Sequence, residues 1–285
     1  MKENKKNPVN NQHIYGFIEN VRFGETQDGK TGINMLVSTM NHSDKKPRSH
    51  HNVKMFTTDP EVIAQYKAVA ADLEQPKAER QEHRISLDGS VVNGTYQPKD
   101  ADKPIETVEV LTRPDKVDLD AKLAENEKRN RLDLICKVGS INLSEEKGVA
   151  VVRVANNFYP SDSSKEKQTT WLTAYVNENS IYTKKAYEAI KKGEFKQGDS
   201  IVLGGQLHDR TKEIEVDGRK LHRNDGHYVN VTTFSRYVKK EAQTQAQEAA
   251  QAQKPAEKPA QKPAEAKIPQ KKVGSRKNKK VGQSL

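Results

Sequence analysis

The stretch from Gln168 to Leu207 constrains the fold of this chain more than any other. Leu172, Ala174 and Val176 alternate with Trp171, Thr173 and Tyr175. A period of two is that of a half-buried strand, so the apolar set faces one way and both aromatics face the other. Ile181, Ala186, Ala189 and Ile190 follow at the spacing of one helix face. Gly193 and Gly198 bracket Phe195. Gly198-Asp199 then opens a second strand, in which Ile201, Leu203, Gly205 and Leu207 alternate with their neighbours.

Strand, short helix, Gly-Asp turn and strand form the middle of a small barrel whose third and fourth strands are joined by a helix. That is the arrangement of an OB-fold, a five-stranded barrel that binds oligonucleotides. The pattern occurs twice. Gly32 and Gly148 stand at equivalent turn-to-strand points, 116 residues apart, and the segment Ile85–Val91 matches Ile201–Leu207 at the same offset of 116. Val53-Lys54-Met55-Phe56 aligns with Leu172-Thr173-Ala174-Tyr175 at 119. A shared offset over several elements argues for two copies of one unit. The expected architecture is all-β with short helices: two tandem OB-fold five-stranded barrels plus a disordered basic tail. The boundaries are a flexible arm over 1–11, a first barrel over 12–113, a linker over 114–130, a second barrel over 131–238 and a Lys/Pro/Ala-rich tail over 239–285. Asp59-Pro60-Glu61 predicts a helix start in the first copy, with Val62, Tyr66, Val69 and Leu73 on one face.

Composition enters through charge. The formal charge is +10 with a pI of about 9.4, which points to an anionic partner. The excess is not spread evenly. Residues 239–285 hold twelve Lys and Arg against four Glu, residues 1–10 add a net +2, and 11–238 sum to zero. A basic groove on the barrels must therefore come from arrangement. Hydrophobic content of 33% and mean hydropathy of −0.95 fit a chain with an unfolded portion. Cys136 is the single cysteine, which excludes an intrachain disulfide and multi-cysteine zinc, and it reads as a small core residue. No apolar run reaches the ~18 residues of a membrane span, and the first residues lack the apolar core of a signal peptide. A reducing cytoplasm is the expected compartment.

Residues 131–238 resemble bacterial single-stranded DNA-binding protein, SSB. The matching features are Leu134–Val138 as first strand, Trp171 entering the third, and Tyr187 with Lys192-Gly193 in and after the helix. Gly198–Leu207 and the closing Tyr228–Val231 complete the match. The resemblance implies a non-enzymatic, sequence-tolerant binder of single-stranded DNA, with RNA as a related ligand, and a homodimer carrying four barrels. It also implies that Trp171 stacks on a base and that Phe158 or Tyr159 does so near the end of the second strand. Tyr175 shares the outer face with Trp171. In the first copy Asn52 stands where the tryptophan would be, and Phe56 matches Tyr175. An aromatic side chain grips a base whatever its identity, at about 1–3 kcal/mol per stacked base. Neighbouring cations neutralise phosphates and make binding salt-dependent. The candidates are Arg153, Lys165, Lys167, Arg210, Lys212, Arg219, Lys220 and Arg223, with Arg48 and Lys54 as first-copy counterparts. The family ends in an acidic tip that recruits other enzymes. This chain ends Lys279-Lys280-Val281-Gly282-Gln283-Ser284-Leu285, so that role is not carried over.

Each choice has a plainer reading. Trp171 could be a barrel residue, Phe158 and Tyr159 a dimer contact, and Arg219, Lys220 and Arg223 a solvated loop beside Asp217 and Asp225. His50-His51 and His222 with His227 lack Cys or carboxylate partners at zinc spacing, so no metal or cofactor is expected. No nucleophile elbow, phosphate loop or paired-carboxylate constellation is present. A second functional class remains open: an adapter that uses its barrels for protein contacts and its tail for nucleic acid.

Overall fold

In a computed structural model of the chain, the described residues are 9–39, 49–96, 105–122, 130–158, 167–216 and 219–238, with backbone alone at 96, 105, 211–216 and 219–225. The first barrel comprises β1 (Asn10–Glu25), β2 (Thr31–Thr39), β3 (Ser49–Thr57), α1 (Pro60–Leu73), β4 (Arg84–Tyr96) and β5 (Ile105–Leu119). β1 pairs antiparallel with β2 and β4, β2 with β3, and β4 with β5; β3 and β5 run parallel and close the ring. The inward set includes Ile14, Ile33, Met55, Ile85 and Leu87. Fully burying such side chains is worth about 1.5–3 kcal/mol each. α1 starts where expected: the Asp59 carboxylate accepts from Glu61 N at 2.9 Å, Pro60 needs no donor partner, and Tyr66 and Val69 are buried.

The second barrel repeats the circuit with β6 (Asn130–Ser144), β7 (Val149–Phe158), β8 (Gln168–Asn177), α2 (Lys184–Lys191), β9 (Ser200–Val216) and β10 (Arg219–Arg236). β8 and β10 are the parallel pair that closes it. Leu132, Leu134, Val152, Ala174 and Leu203 fill its core, and Cys136 is buried there as a small hydrophobe. Antiparallel pairing of β1 with β6, from Asn10↔Leu134 to Ile14↔Asn130, joins the rings into one ten-stranded sheet. Amide side chains stitch this seam. Asn10 donates to Val91 O and accepts from Val91 N, both at 2.8 Å, while Asn130 donates to Leu207 O at 2.6 Å. Gln12 Nε2 donates to Asn130 Oδ1 at 2.9 Å. Buried amide hydrogen bonds of this kind fix the register of two strands that apolar side chains alone would hold less specifically, although Gln12 Oε1 is buried without a partner.

Gly89 and Gly205 show why the sequence repeats glycine at that point. A Cβ on Gly89 would lie 2.6 Å from Val110 Cγ1, and one on Gly205 would lie 2.4 Å from Asn230 O. At both places the fourth and fifth strands of a barrel approach too closely for a side chain.

Three local features depart from the sequence reading. β1 begins at Asn10, inside the expected arm, and β5 runs to Leu119, into the stretch read as linker, because Val117 and Leu119 pair with Leu87 and Ile85. Beyond Leu207, β9 and β10 pair antiparallel from Asp209↔His227 to Val216↔Arg219, so Arg219, Lys220 and Arg223 lie on a hairpin. Ile181 does not lie on the helix face. It sits in the turn before α2 and is 87% exposed, and the buried face consists of Ala186, Tyr187 and Ile190. Thr183 is buried instead, its hydroxyl donating to Asn177 O at 2.8 Å. The expected tail lies outside the described residues. No helix among the described residues is long and apolar enough to cross a membrane.

Candidate nucleic-acid interface

β8 carries the candidate surface. Thr170, Leu172, Ala174 and Val176 are buried, so the strand's period of two leaves Trp171, Thr173, Tyr175 and Asn177 on the outside. Trp171 is 39% exposed although its strand is central. The space for its ring comes from β6, where Gly139 is the extra residue of a bulge between Val138 and Ser140. A Cβ at 139 would stand 2.5 Å from Trp171 Cζ3. Arg153, on β7, holds its guanidinium 5.1 Å from the Trp171 ring centroid, a cation–π contact worth about 0.5–1 kcal/mol at an exposed site.

Further along the same face the Tyr175 ring meets Tyr228 edge-on, with centroids 5.3 Å apart and planes at 84°. Tyr228 in turn stacks on His208 at 5.4 Å and 26°. Arg210 donates from Nη2 to the Tyr175 hydroxyl and lies 6.0 Å from its ring centroid. Burial raises the Tyr228 hydroxyl above its ordinary range, so it stays protonated. An indole, two phenols and two guanidiniums therefore line one outer surface of the second barrel. This arrangement can accept flat π faces and place positive charge beside them. Tyr228 and His208 were not among the sequence candidates. Its alternation with Val229 and Val231 is the signal that could have placed Tyr228 outside.

The first barrel does not repeat this surface. Its bulge lies between Ile18 and Asn20 as the second barrel's lies between Val138 and Ser140, so Ile18 matches Val138. Carrying that register across Val37↔His51 and Val154↔Leu172 puts His50 opposite Trp171 and Lys54 opposite Tyr175. The parallel pairs Asn52↔Glu109 and Thr173↔Tyr228 then match Glu109 to Tyr228. The third-strand offset is thus 121, and the expected match of Asn52 to Trp171 and of Phe56 to Tyr175 is corrected by two residues. Lys54 Nζ lies 2.8 Å from Glu109 Oε2, so this cation already has a carboxylate. Glu19, at the place of Gly139, accepts from Ser38 Oγ at 2.5 Å. Phe56 is an exposed ring lying over Gly32.

The remaining candidates divide. Phe158, one of the two aromatics expected to stack near the end of the second strand, is buried at the end of β7. Lys167 is exposed just before β8. Lys212, Arg219, Lys220 and Arg223 lie on the paired hairpin of β9 and β10, with Arg223 opposite Lys212. Arg48, Tyr159 and Lys165 lie outside the described residues.

Beside this surface β3 meets the root of that hairpin. Ser49 Oγ and His208 Nδ1 share a hydrogen bond of 2.6 Å. Asp209 accepts from His50 N at 3.2 Å and lies 3.2 Å from His50 Nδ1. Burial pushes the Asp209 carboxyl up, but these bonds outweigh it and hold the group below the ordinary carboxylate value. His51 and His227 are held neutral by burial, His51 down to about 3. Among the described residues no group of three or more His, Cys, Asp or Glu is placed to hold a metal ion.

No protein-family model matches the sequence, and no curated protein matches it. Solved structures do. The wild-type single-stranded DNA binding protein from Thermus aquaticus aligns over 82% of this chain and 95% of its own, at 14% identity and a TM-score of 0.50. A deletion mutant of that protein aligns over 82% of this chain and 96% of its own, at 13% identity and a TM-score of 0.48. A Plasmodium falciparum SSB in complex with ssDNA covers 42% of this chain and 96% of its own, at 15% identity and a TM-score of 0.27. The two barrels of this chain share their fold with the Thermus aquaticus protein, and at this identity the likeness is one of fold.

Proposed function

We propose that the protein binds single-stranded DNA without reading its sequence, on the outer face of the second barrel. The observation that carries this reading is Trp171, exposed on a central strand, with Arg153 over its ring and Tyr175 and Tyr228 further along the same face. In this reading bases stack on Trp171 and Tyr175, while Arg153, Arg210 and Lys167 meet the phosphates. Stacking is indifferent to base identity, and phosphate contacts are common to every nucleotide. The fold shared with a single-stranded DNA binding protein supports the same reading. Its use is the protection and straightening of single strands in replication, recombination or DNA transfer. By the same resemblance the chain pairs as a homodimer, which sedimentation equilibrium tests.

Fluorescence anisotropy of labelled oligo-dT with the full chain tests the binding. Single strands are expected to bind with an affinity that falls with salt, and Trp171→Ala to weaken binding by about 5- to 150-fold, the range of one lost base stack. Preference for duplex DNA, or wild-type affinity in Trp171→Ala, contradicts the proposal. RNA shares the stacking chemistry, and oligo-U in the same assay ranks the two.

A further inference from the structure

We propose that the first barrel positions the aromatic face of the second, through Ser49 and His50. The inference rests on the proposed function and gives the first barrel a defined part in it. At the first-barrel positions equivalent to Trp171, Tyr175 and Tyr228 stand His50, Lys54 and Glu109, and all three are engaged. Lys54 and Glu109 pair with each other, and His50 binds Asp209. The strand that carries stacking residues in one barrel thus carries a grip in the other.

The grip closes on two consecutive residues of β9, His208 and Asp209. Ser49 and His208 are both buried and share the 2.6 Å hydrogen bond, so the imidazole cannot turn about χ2 without losing it. The plane of that imidazole lies nearly parallel to the Tyr228 ring, and Tyr228 sets the edge against which Tyr175 packs. A chain of four groups therefore runs from Ser49 to Tyr175. Asp209 fixes the backbone on which His208 and Arg210 sit, taking both the main-chain and the ring donor of His50. Ser49 and His50 are positioning residues in this scheme; neither touches the nucleic acid.

The test uses the full chain, oligo-dT and three readouts: affinity, the tyrosine band in near-ultraviolet circular dichroism, and melting temperature. Ser49→Ala removes the hydroxyl and Ser49→Thr keeps it. Ser49→Ala is expected to lower affinity by about three- to tenfold, the worth of one hydrogen bond, and to alter the tyrosine band, with both restored in Ser49→Thr. In a Tyr228→Leu background the same change is expected to cost nothing further, since the link it acts through is gone. Wild-type affinity and an unaltered band in Ser49→Ala overturn the proposal, as does an equal loss in the Tyr228→Leu background. A lower melting temperature with no change in the other two readouts marks Ser49 as structural and also overturns it. If the wild-type chain does not bind oligo-dT, the proposed function fails. The tyrosine band then decides the positioning alone, supporting it if altered in Ser49→Ala and restored in Ser49→Thr, and overturning it otherwise.

Discussion

Gly139 lies so close to Trp171 that a Cβ at 139 would stand 2.5 Å from the ring's Cζ3. The bulge that inserts this glycine into β6 is therefore the feature that lets an indole lie on the barrel's outer face. Gly139→Val is expected to push the ring off its seat. Oligo-dT affinity falls by at least about fivefold, the low end of one base stack, and the tryptophan emission maximum shifts before any DNA is added. Unchanged emission and unchanged affinity would show that the seat is not needed.

Arg153 tests the electrostatic half of the reading. If it meets one phosphate, Arg153→Gln flattens the slope of log affinity against log salt by about 0.7, the single-strand value per contact. Lys54, at the first-barrel place of Tyr175, is paired with Glu109, so Lys54→Gln leaves the slope unchanged. Equal flattening by both variants would mean that both barrels contact the strand.

The Lys54–Glu109 pair makes a stability prediction as well. Glu109 is buried, and Gly94 clears the space for its carboxylate, since a Cβ there would lie 2.3 Å from Oε1. Lys54→Met strands this carboxylate and is expected to cost about 1–3 kcal/mol. Glu109→Gln in the same chain recovers most of the loss. Additive losses in a denaturant-melt cycle would show that the two groups do not interact.

Much of this was legible beforehand. The alternation at Trp171–Val176 placed both aromatics outside, and the Gly205 and Gly89 segments gave the correct offset because close strand approach demands glycine at both. The third strand was misaligned by two residues for a physical reason: a slip of two keeps every side chain on its face, so periodicity cannot detect it. Bulge positions settle that register, and they are not readable without pairing partners. Phe158 could have been assigned inward, since it falls in step with Val152 and Val154, but Asn156 interrupts the apolar run. Asn156 is buried because its amide bonds the backbone of Val9 and Ile135 at the seam, a contact between segments far apart in sequence. The grip of Ser49 and His50 on β9 was invisible for the same reason.

His51 and His227 give the stability of the fold a pH dependence. Both titrate below the ordinary histidine value of about 6.5 in the native state, His51 near 3. The unfolded chain takes up protons that the native state refuses, so stability rises with pH through this window. It is full above about pH 6.5 and falls as pH drops, by up to ~1.4 kcal/mol per unit for each histidine. Thermal melts between pH 7 and pH 5 check this, and His51→Leu is expected to remove one histidine's share of the slope. The same slope in that variant would contradict the assignment.

Titration of Trp171 fluorescence with oligo-dT tests the central claim most directly, because no other tryptophan is present in the chain. The full chain and a form ending at Val238 should be compared at two salt concentrations. The account predicts strong quenching in both forms, weaker at higher salt, as a base covers the ring. Unchanged emission in both forms, with binding detected by anisotropy in the full chain alone, would contradict it and move the activity to residues 239–285.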